Sequence, residues 1–134
     1  MTYLLDANVW IALLRGKSPP AASRFRAVPS ADLRVCSVVV AELRYGCARS
    51  AKPATNRAAV DALLAPYPSL PFDDAATDAF VSIRRHLESL GTPIGPYDLQ
   101  IAAIALTAGC TLVTHNISEF TRVPALLVED WEAP

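Results

Sequence analysis

An aspartate closes the first apolar run of this chain, Tyr3-Leu4-Leu5-Asp6, and Ala7-Asn8 leads into a second run that ends at Arg15-Gly16. The pattern predicts a strand, a tight turn and a helix, with Asn8 as N-cap and Gly16 just past the helix end. An ionised carboxylate placed there costs folding energy unless a cation or the amides of the turn satisfy it. Other acid, hydroxyl and amide groups occupy comparable places. Ser37 ends the run Leu33-Arg34-Val35-Cys36, Glu42 follows it by five residues, Asp98 comes two after Pro96, and Asn116 follows Leu112-Val113-Thr114-His115. Carboxylates gathered in one place repel, so such a set implies a bound cation or raised pKa values. Hard oxygen donors without a Cys or His cluster suit Mg²⁺ or Mn²⁺ rather than zinc. Such ions hold phosphate oxygens, and a pair roughly 3.5–4 Å apart clamps an in-line phosphoryl displacement.

Whether these groups meet depends on the elements that carry them. Pro19-Pro20 opens a short helix to about Val28, and Pro29-Ser30 breaks it. Leu33–Ser37 is a second strand. Ser37 then caps a helix over Val38–Gly46, which puts Glu42 about one and a half turns in. Residues 54–65 form a third helical pattern, and Leu70–Asp73 is a short strand that Pro71 restricts to an edge. Asp74 caps a long helix with apolar positions Ala75, Ala79, Ile83, Leu87 and Leu90 and Gly91 as its stop. Pro96 suits the first position of the next helix, Asp98 its first turn, and Gly109 its end. Strands at Cys110–Thr114 and Leu126–Glu129 flank a helical turn around Ser118–Phe120. Strands alternating with helices of this size predict an α/β fold with a mostly parallel sheet and helices on both faces. Ligands in such sheets bind outside the carboxyl ends of the strands. Asp6, Ser37, Glu42, Asp98 and Asn116 all fall on that side.

The chain has 134 residues, 52% of them hydrophobic and 19% charged. That composition predicts one globular domain over residues 1–134 with a substantial core. Three cysteines without a C-x-x-C pair argue against a disulfide scaffold or thiolate zinc site and for a cytoplasmic location. No apolar stretch approaches the roughly 18 residues of a membrane helix, so no membrane partner is expected. The net charge of −1 is unevenly spread: residues 1–67 hold nine Lys/Arg against four acids, and the remainder three against nine. A basic half suits an anionic partner. Arg15, Lys17, Arg24, Arg26, Arg44 and Arg49 are the candidates for gripping a polyanionic backbone.

Other chemistries fit poorly. An aspartyl-phosphate phosphatase needs a second acid where Asn8 stands. A phospho-receiver domain needs paired acids and a late lysine, whereas the last lysine here is Lys52. Neither G-x-S-x-G nor G-x-x-x-x-G-K occurs. His86 falls on an exposed helix face, and His115 stands near the crevice, within reach of a substrate.

Four segments together resemble the PIN-domain ribonucleases, most closely the toxin subunit of VapBC-type toxin–antitoxin pairs. They are Leu4-Leu5-Asp6-Ala7-Asn8, Ser37–Gly46, Gly91–Asp98 with Ile101-Ala102-Ala103, and Leu112-Val113-Thr114-His115-Asn116 with Glu119-Phe120. The resemblance runs nearly end to end, in the family's order and spacing. It implies an α/β/α sandwich with a sheet of four to five strands, and a homodimer or toxin–antitoxin hetero-oligomer. It also implies Mg²⁺- or Mn²⁺-dependent endoribonuclease activity on a structured RNA, a tRNA or rRNA loop, so that translation is inhibited. A VapB-type antitoxin would occlude the site, often by inserting a basic side chain among the carboxylates. Asp6, Glu42 and Asp98 stand on the family's first three acidic positions and are the expected metal ligands. Asn116 takes the fourth place, where the family often has Asp, with Glu119 as its replacement or support. Asn8, Ser37, Thr114 and His115 are expected to support the site, and Arg15, Lys17, Arg44 and Arg49 to bind RNA. Ala7 replaces the family's usual Thr, which removes a hydroxyl near the metal, and Tyr97 its commoner Asn, which bears on substrate contacts. Because Asn116 is neutral, one well-bound ion and a weak second are expected. The alternative is a PIN-fold binding module with a weakened site that acts through protein partners.

Overall fold

The computed structural model describes all residues, Met1–Pro134. Its centre is a sheet of five strands: β1 (Tyr3–Leu5), β2 (Leu33–Cys36), β3 (Ser69–Leu70), β4 (Thr111–Val113) and β5 (Val128–Glu129). Their order is β3-β2-β1-β4-β5 and every pairing is parallel. Helices α1 (Ala7–Arg15), α2 (Pro19–Ala27), α3 (Ser37–Ala48) and α4 (Pro53–Leu64) serve the crossovers from β1 through β2 to β3. Helices α5 (Asp74–Ser89), α6 (Pro96–Ala108) and α7 (Ile117–Phe120) serve those to β4 and β5, on the other side of β1. Right-handed crossovers that run in opposite directions along a sheet put the two helix sets on opposite faces. The result is the expected α/β/α sandwich, with the full five strands and no antiparallel member. Between β1 and β4 the chain order reverses, and this switch point is where an open parallel sheet forms its crevice.

The three central strands β2, β1 and β4 are short and mostly buried, as strands covered on both faces must be, and the edge strands β3 and β5 are more open. Leu4, Leu5, Cys36, Leu112 and Val113 are all at 0% exposure within one continuous hydrophobic core. Trp10 of α1 packs against Phe25 and Tyr67 with ring centroids 5.9 and 5.4 Å away, and its indole N–H donates to the Leu5 carbonyl at 3.1 Å. That bond ties α1 back onto β1 beside Asp6. Helix α6 is buried from Leu99 through Ala105 apart from Gln100, as its Ala-, Leu- and Ile-rich sequence predicts. No helix is long and apolar enough to cross a membrane.

Helix ends follow local chemistry, with three shifts from expectation. Gly16 and Gly109 take left-handed φ values of 63° and 68° at the ends of α1 and α6, where a side chain would be strained. The N-cap of α1, however, is Asp6 itself rather than Asn8: Asp6 is extended and its carboxylate accepts the Asn8 N–H at 2.8 Å, which leaves Asn8 exposed in the first turn. Cys36 holds the N-cap position of α3 without a side-chain cap, and Ser37 is already helical, its hydroxyl donating to the Leu70 carbonyl at 3.2 Å. Asp73, not Asp74, caps α5 by accepting the Ala76 N–H at 3.0 Å. The buried stripe of α5 runs through Ala76, Ile83 and Leu87, and Ala75 and Leu90 face solvent. The edge strand β3 is Ser69–Leu70 rather than Leu70–Asp73: it stops directly before Pro71, and residues 71–73 lie outside it.

Candidate functional site

Asp6 follows the last residue of β1 and is 8% exposed, a depth that a carboxylate tolerates only with partners. Its backbone is fixed first. The Asp6 N–H extends the β1–β4 ladder to the Val113 carbonyl at 3.0 Å, and its own carbonyl accepts from Val9 and Trp10 at the start of α1. Its side chain then has two donors: the Asn8 N–H to Oδ1 at 2.8 Å and the Thr114 hydroxyl to Oδ2 at 2.7 Å. Thr114 lies one residue beyond β4 and is completely buried, and its oxygen in turn accepts the Asn116 N–H at 3.0 Å. A chain of three hydrogen-bonded residues therefore crosses the switch point of the sheet.

Three more carboxylates converge on Asp6. Glu42 projects from the second turn of α3, and burial raises its pKa, helped by the charge of Asp6. Asp98 in the first turn of α6 is pushed up to about 6, by burial first. A side-chain hydrogen bond to Glu119 that favours the protonated acid, and the charges of Asp6, Glu119 and Glu42, add to that rise. Asp6 is raised by burial against the opposing pull of its two hydrogen bonds. Glu119 on α7 is oriented by the Asn116 amide, which donates to Oε2 at 3.1 Å. None of the chain's ion pairs involves any of the four. The same low-dielectric, negative setting pushes the buried Cys36 thiol up to about 11, which leaves it protonated and inert.

Most of the residues expected at the site are brought together, and some are not. Asp6, Glu42, Asp98 and Glu119 form the cluster, with Thr114 and Asn116 behind it. Asn8 contributes a backbone N–H rather than its side chain, and Ser37 spends its hydroxyl on β3. His115 is exposed and turns to Asp130, with Nδ1 to Oδ2 at 3.0 Å. With Glu132 the pair forms a second group whose ligand atoms lie within 4.8 Å of one another. Arg15 and Arg49 line one cleft together with Glu42, of about 540 Å³ between α1, α3 and α4. Arg44 lies on the next face of α3 and pairs with Asp61 at 3.8 Å, so its charge is partly spent. Lys17 is exposed beyond the end of α1, outside both clefts. Thr114 supports the site as expected, through a fully buried hydroxyl just beyond the end of β4.

The chain matches the family model described as PIN domain over residues 3–126. It is 34% identical over 131 residues to the protein named tRNA(fMet)-specific endonuclease VapC of Salmonella typhimurium, spanning 98% of each chain. Ribonuclease VapC2 of Rickettsia felis is 32% identical over 133 residues, 98% of this chain and 99% of the other. Among solved structures, VapBC2 from Rickettsia felis bound to a DNA fragment from its promoter superposes with a TM-score of 0.90 at 32% identity, covering 98% and 99% of the two chains.

Proposed function

Because this chain belongs to the PIN-domain family, we propose that it is a VapC-type endoribonuclease toxin, neutralised by a VapB-type antitoxin, and that Asp6, Glu42 and Asp98 hold the divalent cation it needs, with Glu119 beside them. One observation carries the site assignment. Burial holds Asp6, Glu42 and Asp98 above their ordinary pKa, the charge of Asp6 adds to the rise of Glu42 and Asp98, Glu119 and Glu42 add theirs to Asp98, and no side chain of the protein forms an ion pair with any of the four. A fold retains such repulsion when a ligand relieves it, and an all-oxygen donor set without Cys or His fits Mg²⁺ or Mn²⁺. When bound, such a cation supplies charge neutralisation at a phosphodiester and activates water for attack on phosphorus.

The protein's own contribution is position. Asp6 is locked by Thr114 and by the Asn8 amide, so the central carboxylate is oriented before any ligand arrives. Glu42 and Asp98 reach it from helices on neighbouring crossovers. Asn116 holds Glu119, which supports a second, weaker cation place. Arg15 and Arg49 flank Glu42 and hold the RNA backbone. The antitoxin would cover the same carboxylates, and a basic side chain set among them supplies the missing positive charge. The substrate is a structured RNA. A tRNA loop is the first candidate, since the Salmonella relative is named for tRNA(fMet). Such a substrate places the activity in the cytoplasm, and a homodimer of a single-domain chain is the expected form of the free toxin.

The test compares wild type with Asp6→Asn and Asp98→Asn on initiator tRNA and bulk tRNA. Cleavage is expected only with Mg²⁺ or Mn²⁺ and in neither variant. Cleavage that survives EDTA and both substitutions overturns the assignment. Metal-independent binding of the antitoxin with no cleavage of any RNA would instead favour the binding-module alternative.

A further inference from the structure

Beside the carboxylates lies a second cleft, of about 680 Å³, that the chemistry above leaves unused. Ser37, Val38, Ala41, Glu42 and Tyr45 of α3 form one wall, Pro71 and Phe72 the floor beyond β3, and Tyr97 and Gln100 of α6 the other wall. Its volume falls within the roughly 300–1,000 Å³ of pockets that hold small ring systems. Two of its aromatic residues are unusually open: Tyr45 is 64% and Tyr97 63% exposed. Both adjoin the candidate catalytic acids. Tyr45 is three residues from Glu42, on the same helix face, and Tyr97 directly precedes Asp98. The Arg49 guanidinium stands 5.1 Å from the centre of the Tyr45 ring, a cation placed against that aromatic group. Gln100 makes no hydrogen bond within the protein through its amide, which leaves a donor and an acceptor free at the cleft.

We propose that this cleft receives an unpaired nucleobase next to the scissile phosphate, stacked on Tyr45 and Tyr97 and read at its edge by Gln100. The inference rests on the ribonuclease reading and adds to it how a target base is chosen. Three observations favour a base over another occupant. The cleft shares Glu42 with the carboxylate cluster, so a nucleotide flanking a phosphate held there enters it without a detour. Open aromatic faces beside an arginine are the chemistry by which proteins hold splayed-out bases of RNA loops. Gln100 presents the paired donor and acceptor that suit a base edge, adenine above all. A second copy of this chain is the competing occupant, since the tyrosines are also apolar.

The experiment uses initiator tRNA transcripts with 2-aminopurine placed in turn at each unpaired loop position, bound to full-length Asp98→Asn protein. One position is expected to quench on binding. Tyr45→Ala and Tyr97→Ala abolish that quench, and Tyr45→Phe and Tyr97→Phe, which keep the ring, retain it. In the active background the alanine variants raise KM roughly 5- to 100-fold with kcat little changed, the range of a lost stack. Gln100→Ala relaxes the base preference at the quenched position without removing the quench. Thermal denaturation and light scattering confirm folding and oligomeric state. Alanine variants that dissociate a dimer but leave the quench and KM unchanged overturn the proposal in favour of a subunit interface. The binding arm reads the cleft even if no RNA is cut, so a failed nuclease assignment is told apart from a failed base pocket. A wild type that cleaves with no quench at any position sinks the pocket alone.

Discussion

The Thr114 hydroxyl donates to Oδ2 of Asp6 at 2.7 Å across 108 residues of sequence, joining the ends of β4 and β1 at the one place where the order of the sheet reverses. This contact decides what Asp6 is. Burial alone would drive the carboxyl neutral, and the Thr114 and Asn8 donors oppose that by favouring the ionised form. With Oδ1 held by the Asn8 N–H and Oδ2 by the Thr114 hydroxyl, the carboxylate is also fixed in rotation.

Removing that donor is expected to weaken cation binding while the fold survives. In Thr114→Val the methyl replaces the hydroxyl at similar volume, Asp6 loses its donor, and the Asn116 N–H loses its acceptor. Loss of a group that orients a metal ligand costs about 10–100-fold in affinity. Thr114→Ser keeps the hydroxyl and should stay close to wild type. Mn²⁺ titration by calorimetry separates the two, and equal affinities for Val and Ser would refute the orienting role.

The crowding of the carboxylates predicts an unusual pH dependence of stability. Asp98 is raised from an ordinary 3.8 to about 6. Its protonated form is therefore favoured by folding, and that contribution is complete below about pH 4 and lost as pH rises through about 6. Asp6 and Glu42, also raised, act in the same direction. Half-exposure of Asp98 trims the size of the effect through solvent screening. In EDTA the difference in Tm between Asp98→Asn and wild type should therefore widen from pH 4 to pH 7. Cation affinity runs the other way, because protons compete for the same oxygens, and RNA cleavage should fall steeply below about pH 6. A Tm difference that is flat with pH would mean the acids do not feel one another.

These acids were largely legible from the chain because the chemistry that positions them is local. Asp6 ends an apolar run, Pro96 sets Asp98 in a first turn, and Gly16 and Gly109 stop their helices with positive φ. What could not be read was settled by contacts distant in sequence. Asn8 and Asp6 are both good caps, and the choice fell to Asp6 because its backbone is held extended by the bond to Val113 on β4. Ser37 resembled a cap until β3 supplied the Leu70 carbonyl 33 residues on. His115 pairs with Asp130, a partner from beyond β5 that no spacing rule announces. The middle of the α5 stripe was legible, with Ile83 and Leu87 buried and Ala79 packed against the core, and only its ends differ: Ala76 rather than Ala75 is buried, and Leu90 faces solvent.

Arginines that look equivalent in the sequence should not be equal in RNA binding. Arg15 and Arg49 line the cleft that contains Glu42, whereas Arg44 shares Asp61 with Arg57, at 3.8 and 3.0 Å. On an Asp98→Asn background, Arg15→Ala and Arg49→Ala should each lower the slope of log Kd against log[KCl] by about 0.7–1. Arg44→Ala should change it by less, since its charge is already compensated. Three equal slopes would place the RNA elsewhere.

Glu119 and Asn116 make the last distinction, between one cation and two. The Asn116 amide holds Glu119 at 3.1 Å, and Glu119 adds to the rise of Asp98 both by hydrogen bond and by charge. Glu119→Gln removes that charge, so the metal-free protein should gain stability above about pH 6, where Asp98 is otherwise forced to ionise beside it. The same change deletes the acid that supports a second ion. Mn²⁺ titration followed by electron paramagnetic resonance is expected to give one tight and one weak site in wild type. Glu119→Gln should keep the first and lose the second. Asn116→Asp acts in the opposite sense, because it exchanges a donor for a fifth carboxylate beside the other four. It should tighten the weak site and lower the Tm of the metal-free protein. If wild type binds two ions with equal affinity, or if Glu119→Gln leaves both sites intact, then Glu119 is a positioning group for Asp98 and not a ligand.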